Sequence, residues 1–202
     1  LLRTHVVPSA RFTGGLLPSP LGDRLYATTR THGLIAIDLV SDSTFSVLNP
    51  APCSGGLSVT PSGGEVMAVP PGDLGATPLA FGVPSDSTSG TITLGGTPSD
   101  ISASPRGQSV YIANALYGRL QVMDVSRVSG SPGPTYHTVV ADVPTGDWPV
   151  AVATNGDGGI VLVANAGSSS LSLYRTGGAP TLAAIVPSMG SPGDAIAVAT
   201  VS

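Results

Sequence analysis

The chain of 202 residues contains no lysine; all eight basic residues are arginine, and they are scattered. Without a basic stripe nothing neutralises a row of phosphates, so nucleic-acid binding is not expected. Charged residues make up only 10% of the chain and the net charge is −4. There is one cysteine, Cys53, which excludes an internal disulfide framework. No apolar run approaches the roughly 18 residues needed to cross a bilayer, so no membrane span is expected. The opening "LLRTHVV" has neither an initiator Met nor a signal-peptide layout, and is read as a mature or trimmed end. Helical spacing is missing too: no stretch of 12 residues keeps apolar i, i+3, i+4 positions free of Gly and Pro.

What is abundant is punctuation. The chain has 27 glycines and 19 prolines, set between short apolar runs. That is the layout of many turns joining many strands. The punctuation also repeats. "SPRGQSVYIAN" at 104–114 returns as "NGDGGIVLVAN" at 155–165, with weaker copies ending at Thr29 and Pro70. Each copy holds a Gly seven residues before its last residue: Gly22, Gly63, Gly107 and Gly158. Three hold a Pro nine before it: Pro20, Pro61 and Pro105, with Gly156 in the fourth. Pro presets φ and Gly tolerates positive φ, so Pro-x-Gly is turn chemistry. The run after each turn is about four residues long and β-branched or aromatic, so a strand is expected.

Alternating strands flank this unit. One precedes each turn, as at 101–103 and 150–152. A third follows at 34–39, 120–125 and 171–174, and a fourth at 44–48, 91–94, 137–140 and 182–186. Four short antiparallel strands per period of roughly 45 residues predict an all-β fold: a β-propeller of four-stranded antiparallel blades. The competing fold is a β-sandwich, which has no reason to keep Gly at one offset four times. The expected organisation is a single propeller domain, 1–202. It has four full blades near 14–48, 55–94, 98–142 and 149–186, plus unmatched terminal strands at 3–7 and 195–200.

The third and fourth copies resemble the YVTN-type β-propeller repeat. The matching residues are Pro98, Gly107, Tyr111, Ala113, Asn114, Val122 and Asp124, then Pro149, Gly158, Val163, Ala164 and Asn165. The first copy keeps Pro20, Gly22, Tyr26 and "IAID" at 35–38; the second ends in Pro70 and loses the Asn. The resemblance covers nearly the whole chain and implies a propeller. It implies little about chemistry, because the family includes surface-layer and secreted binding proteins, lactonase-like enzymes, and modules attached to redox enzymes. Such rings usually carry about six to eight blades. Four blades with two unmatched strands are expected to be a fragment, a small self-closed ring, or a ring completed by a protein partner or second copy. The fragment and the partner-completed ring are favoured, because a two-stranded blade leaves backbone groups unpaired.

Ligands of propellers usually sit at loops entering the innermost strands. Asp100, Asp147, Trp148 and Asp194 occupy those places and are the candidate ligand-binding residues, for a small molecule, a glycan or a cation. The bland alternative is that each Asp caps its own turn and that Trp148 packs between blades. Neither catalytic nor metal residues are expected. His5, His32 and His137 lack metal spacing, and Cys53 has no His neighbour and reads as a half-buried structural thiol. "NGDGG" at 155–159 fails the calcium-loop pattern and reads as a tight turn. Asp38 and Asp124 end third strands at matched places and read as structural. No cofactor is expected.

The function expected from this is a non-catalytic binding or assembly module, exported to an extracellular or periplasmic location. The alternatives are a lactonase- or lyase-like propeller enzyme with an acidic funnel, and an accessory propeller serving a redox partner.

Overall fold

A computed structural model describes residues 7–40, 45–53, 55–69, 79–82, 89–128, 131–177 and 180–187. Four antiparallel sheets of four strands follow one another along the chain. Blade 1 holds β1 (Phe12–Pro18), β2 (Arg24–Thr29), β3 (Gly33–Asp38) and β4 (Phe45–Asn49). Blade 2 holds β5 (Leu57–Val59), β6 (Val66–Ala68), β7 (Leu79–Gly82) and β8 (Ser89–Ile92). Blade 3 holds β9 (Pro98–Ala103), β10 (Ser109–Asn114), β11 (Arg119–Asp124) and, after a small hairpin of β12 (Arg127–Val128) and β13 (Ser131–Pro132), β14 (Val139–Pro144). Blade 4 holds β15 (Pro149–Thr154), β16 (Ile160–Asn165), β17 (Ser170–Arg175) and β18 (Thr181–Pro187). No helix occurs among the described residues, so none there is long and apolar enough to cross a membrane.

The expected propeller architecture is the one observed, and the reason for the repeat is visible in it. In each copy the Gly closes a tight turn by donating its N–H three residues back: Gly22 to Ser19, Gly63 to Thr60, Gly107 to Ser104 and Gly158 to Asn155, all at 2.8–2.9 Å. All four glycines have φ between +68° and +73°, where a Cβ is strained. The prolines then touch the next blade's turn. A Cβ built on Gly63 would lie 3.6 Å from Pro20, one on Gly107 3.9 Å from Pro61, and one on Gly158 3.4 Å from Pro105. Pro and Gly recur because the turns of successive blades stack.

The interior strands of blade 3 bury both faces, one against each neighbour. Val110 and Ile112 pack with Met67, Val69, Ile92, Ile101, Met123 and Val125 at the seam of blades 2 and 3. Tyr111 and Ala113, one residue along, join Leu120, Val122, Val152, Val161, Val163 and Tyr174 at the seam of blades 3 and 4. Tyr26, Leu34, Ala36, Cys53, Val66 and Ala68 fill the seam of blades 1 and 2. A strand flanked on both sides needs apolar residues in continuous runs, which is what "VYIA" and "IVLVA" supply. No buried cluster of the described residues joins blade 4 back to blade 1.

Several expectations shift. The outer strand of blade 2 is Ser89–Ile92 instead of 91–94, and that of blade 3 is Val139–Pro144 instead of 137–140. The cause in blade 3 is its β12–β13 excursion, which ends in a turn holding His137 at φ +61°. Cys53 is fully buried instead of half-buried. Its Sγ donates to Ala51 O at 3.2 Å, and burial pushes the thiol pKa up to about 12. Of the expected terminal strands, residues 3–6 and 195–200 lie outside the described residues, and Val7 is not in a strand.

Candidate functional site

The four meanders place their loops on two faces. The turns between first and second strands, and the links between third and fourth, share one face. The entry loops into each blade and the turns between second and third strands share the other.

On the entry face the chain's Asn residues act as braces. Asn114 Oδ1 accepts from Thr97 N at 3.0 Å, while its Nδ2 donates to Gly95 O at 2.9 Å and Gln121 Oε1 at 3.1 Å. Asn49 uses Nδ2 to donate to Phe81 O and Gly90 O of the next blade. These groups are buried, so their amides tie entry loops to strands that would otherwise leave backbone groups unpaired.

Asp100 lies on β9, and its Oδ2 accepts from Val152 N on β15 at 2.9 Å. A Cβ on Gly56 of blade 2 would come within 2.0 Å of its Oδ1. The carboxylate of blade 3 therefore bonds blade 4 and lies close against the inner edge of blade 2. Burial raises its pKa, outweighing the lowering by the Val152 and Ile101 amides. A folded pKa above the unfolded one means that folding favours the protonated form. Stability from this group is then lost as pH rises through the folded pKa and regained on acidification toward the ordinary carboxylate range. Asp100→Asn keeps an acceptor for Val152 but cannot ionise. Its melting temperature relative to wild type should therefore fall steadily as pH drops from neutral; a constant difference would show that Asp100 does not titrate with folding.

Asp147 and Trp148 lie on the rim of the entry face, both exposed. Trp148 is not packed between blades; it is 55% exposed with φ +53°. The Asp147 carbonyl accepts from Gly167 N and Ser168 N, and the Trp148 carbonyl accepts from Ala166 N. Leu116 and Tyr117, on the turn between β10 and β11, are also exposed on this face. Asp194 lies outside the described residues. Asp100 and Asp147 share no hydrogen-bond partner, and no group of three metal-ligating side chains occurs among the described residues.

The opposite face carries a cluster that the sequence reading missed. Glu65, the only glutamate, is 2% exposed. Its Oε2 accepts from Tyr136 OH at 2.7 Å, and its Oε1 lies 2.5 Å from His137 Nε2. The His137 ring stacks on Tyr136 at 3.9 Å and meets Phe81 edge-on at 4.5 Å. Arg127 Nη2 donates to Tyr136 OH at 3.0 Å. Burial, then the Glu65 carboxylate, pushes the Tyr136 phenol up to about 12. Glu65 forms part of the wall of a cavity of about 410 Å³ with Arg106 and Arg127. A carboxylate orienting an imidazole is an arrangement used in acid–base catalysis. One signal for the cluster was available in the sequence: a lone Glu at the head of an apolar strand. Its partners stand 71 and 72 residues away, beyond any local pattern.

Asp38, Asp124, Asn155, Asp157 and His32 make local contacts in their own turns and strand ends. Asp38 Oδ1 accepts from Val40 N and Asp124 Oδ1 from Ser126 N, the same bond at matched strand ends. Burial pushes the Asp124 carboxyl upward, yet hydrogen bonds from Thr135 and Ser126 hold it below the usual range. In the 155–159 turn Asp157 accepts from Gly159 N, and Asn155 from Ile160 N. His32 bonds Thr31 Oγ1 and meets the Phe45 ring edge-on.

No protein-family model and no curated protein matches the chain. Solved structures do. A functionally unknown protein from Desulfotomaculum acetoxidans matches with TM-score 0.71 and 15% identity, over 96% of this chain and 62% of that one. The Cps50 (Swd1) β-propeller domain of Myceliophteria thermophila matches with TM-score 0.68 and 13% identity, over 92% and 60%. A 6-phosphogluconolactonase assignment from Bacteroides uniformis matches with TM-score 0.66 and 18% identity, over 92% and 60%. At these identities the likeness shows the fold alone: the chain has a β-propeller fold. It spans less than two thirds of the length of each of these solved chains.

Proposed function

We propose that the chain is a non-catalytic binding and assembly module of the YVTN propeller type, working outside the cytoplasm. One observation carries the assembly reading. In blade 3, Tyr111, Ala113, Leu120 and Val122 are all buried by blade 4. Fifty-one residues on, the same positions of blade 4 are Leu162, Ala164, Leu171 and Leu173. The three leucines there are only half-buried. On β18 the apolar Leu182, Ile185 and Val186 are exposed as well. The repeat thus offers one more blade-facing surface than its described blades cover. Further blades, from a second copy or a protein partner, fit it in chemistry and register. The low charge and the Ser-, Thr- and Gly-rich loops support an exported location, which cell fractionation of the native source checks.

Leu173→Asp tests this reading. The wild-type chain should sediment as a species heavier than 19.9 kDa as concentration rises, and the variant should not. A wild type that stays at the monomer mass and a variant indistinguishable from it would sink the self-assembly form of the proposal.

A second reading, a lactonase-like enzyme, is favoured by Glu65, which lines a cavity and is held from behind by His137. It requires that the chain hydrolyse simple γ- or δ-lactones, with the rate abolished in a folded Glu65→Gln variant. Acid release followed at constant pH measures this, and a rate equal to the buffer alone removes the reading.

A further inference from the structure

The blade 4 entry loop breaks the rule that its neighbour keeps. Pro98 pairs with Asn114, and Pro149 with Asn165, so Thr97 and Trp148 hold equivalent positions. At blade 3 the positive φ angles fall on Gly95 and Gly96. Thr97 N is then free to donate to Asn114 Oδ1. At blade 4 the corresponding residues are Gly146 and Asp147, and the positive φ falls on Trp148 instead. With Trp148 in the left-handed region, its N–H does not meet Asn165. Among the described residues Asn165 Oδ1 is buried with no partner, and its Nδ2 turns to Ser170 Oγ and Ser172 Oγ. Ser169, at φ +45°, likewise keeps a buried hydroxyl with no partner among the described residues.

Both features are costly. A bulky residue at positive φ is strained, and the residue before a proline is restricted further. A buried acceptor without a donor forfeits the hydrogen bond it had in water. Both defects meet in one loop, the one that carries the chain's only Trp, and there the indole is held out in solvent. The loop is pinned in that state: Asp147 O accepts from Gly167 N and Ser168 N, Asp147 N donates to Ser168 Oγ, and Trp148 O accepts from Ala166 N. A Cβ on Gly167 would lie 3.0 Å from both Asp147 O and Trp148 Cβ, so the turn beneath fits closely. Departures of this kind from a local rule gather where a surface is used.

We infer that this loop is a carbohydrate-binding site, with Trp148 as the stacking platform for a pyranose ring of a neutral oligosaccharide. It deepens the ligand half of the function proposed above and is independent of ring completion. The negative face of the indole attracts the electropositive C–H face of a sugar. The exposed Asp147 carboxylate beside it accepts from sugar hydroxyls in charge-assisted bonds. Tyr117 covers the Gly95–Gly96 loop one blade along and is 55% exposed, giving the same face a second aromatic surface. The relaxed alternative, in which Trp148 N–H bonds Asn165 as Thr97 N–H bonds Asn114, withdraws the platform. Ligand binding holds the strained state against it.

The test uses the chain as it stands. Cellohexaose, chitohexaose and maltohexaose are titrated while Trp148, the sole tryptophan, reports by fluorescence. At least one is expected to give a saturable blue shift, weakened at least fivefold in Asp147→Asn. Trp148→Thr, which recreates the blade 3 residue, should abolish binding measured by calorimetry and raise the melting temperature. No saturable shift with any of the three sugars overturns the inference, as does a response to a partner protein alone. A lower melting temperature in Trp148→Thr overturns it too, since the indole would then be holding the fold. Sedimentation of the wild type, which tests assembly, is unaffected by any of these results.

Discussion

Gly33→Ala is expected to destabilise the chain by on the order of 4 kcal/mol. Gly33 begins β3 with φ +69°. Its missing Cβ leaves room for backbone alone: a methyl there would lie 2.2 Å from Asn49 O, 2.5 Å from Ala51 O and 2.7 Å from Pro50 C. None of these atoms can rotate away as a side-chain tip could. The segment they belong to also carries Asn49, whose amide holds the backbone of blade 2 through Phe81 O and Gly90 O. Displacing it disturbs two blades together. Gly22→Ala is the matched control. Its φ is +71°, but no described residue lies within 4 Å of the added methyl, so the left-handed backbone penalty of about 1–2 kcal/mol applies. For a chain of this length each kcal/mol shifts the melting temperature by about 2–4 °C. Thermal unfolding by circular dichroism should therefore separate the two variants clearly. Equal shifts would mean that φ alone matters and that the close approach at Gly33 is relieved at no cost.

His137→Ala should cost about 3 kcal/mol, because it strips a partner from a carboxylate that is almost wholly buried. Part of that loss is the ring itself, which packs on Tyr136 and Phe81. Glu65→Gln separates the two contributions. The carboxamide keeps the shape and can still bond Tyr136 and His137 while removing the charge. In that background His137→Ala should cost less than in wild type, by about 1–2 kcal/mol, since an unpaired neutral amide is less costly than an unpaired carboxylate. Chemical denaturation of the four proteins closes the cycle. If His137→Ala cost the same with and without the Glu65 charge, the pair would be a packing contact only.

The legible part of the candidate site was its address. Asp147 and Trp148 stand on the entry loop of blade 4, where the repeat places them, because loop position follows from strand order. Their geometry was not legible. Nothing in "TGDWPV" says that positive φ falls on Trp148 instead of its neighbours, since that depends on the turn at 166–168 packed beneath. Asp100 was assigned to the same loops but sits inside a strand, braced against Val152 from fifty-two residues away. The Glu65 cluster lay hidden for a related reason. Its members belong to blades 2 and 3, and only the stacking of whole sheets brings them together.

The sequence by itself determined the unit: a tight Pro-Gly turn, strands of fixed spacing, and two apolar faces per strand. Turn chemistry and side-chain alternation act between residues a few positions apart, so they can be read along the chain. Tertiary structure alone decided which acids are engaged and which are exposed, and which faces remain uncovered. Burial and hydrogen bonding between blades join residues about fifty to seventy positions apart, and a buried group's partner is set by how sheets stack. The same packing placed the blade 3 outer strand beyond His137, leaving that imidazole in a turn against the chain's single glutamate.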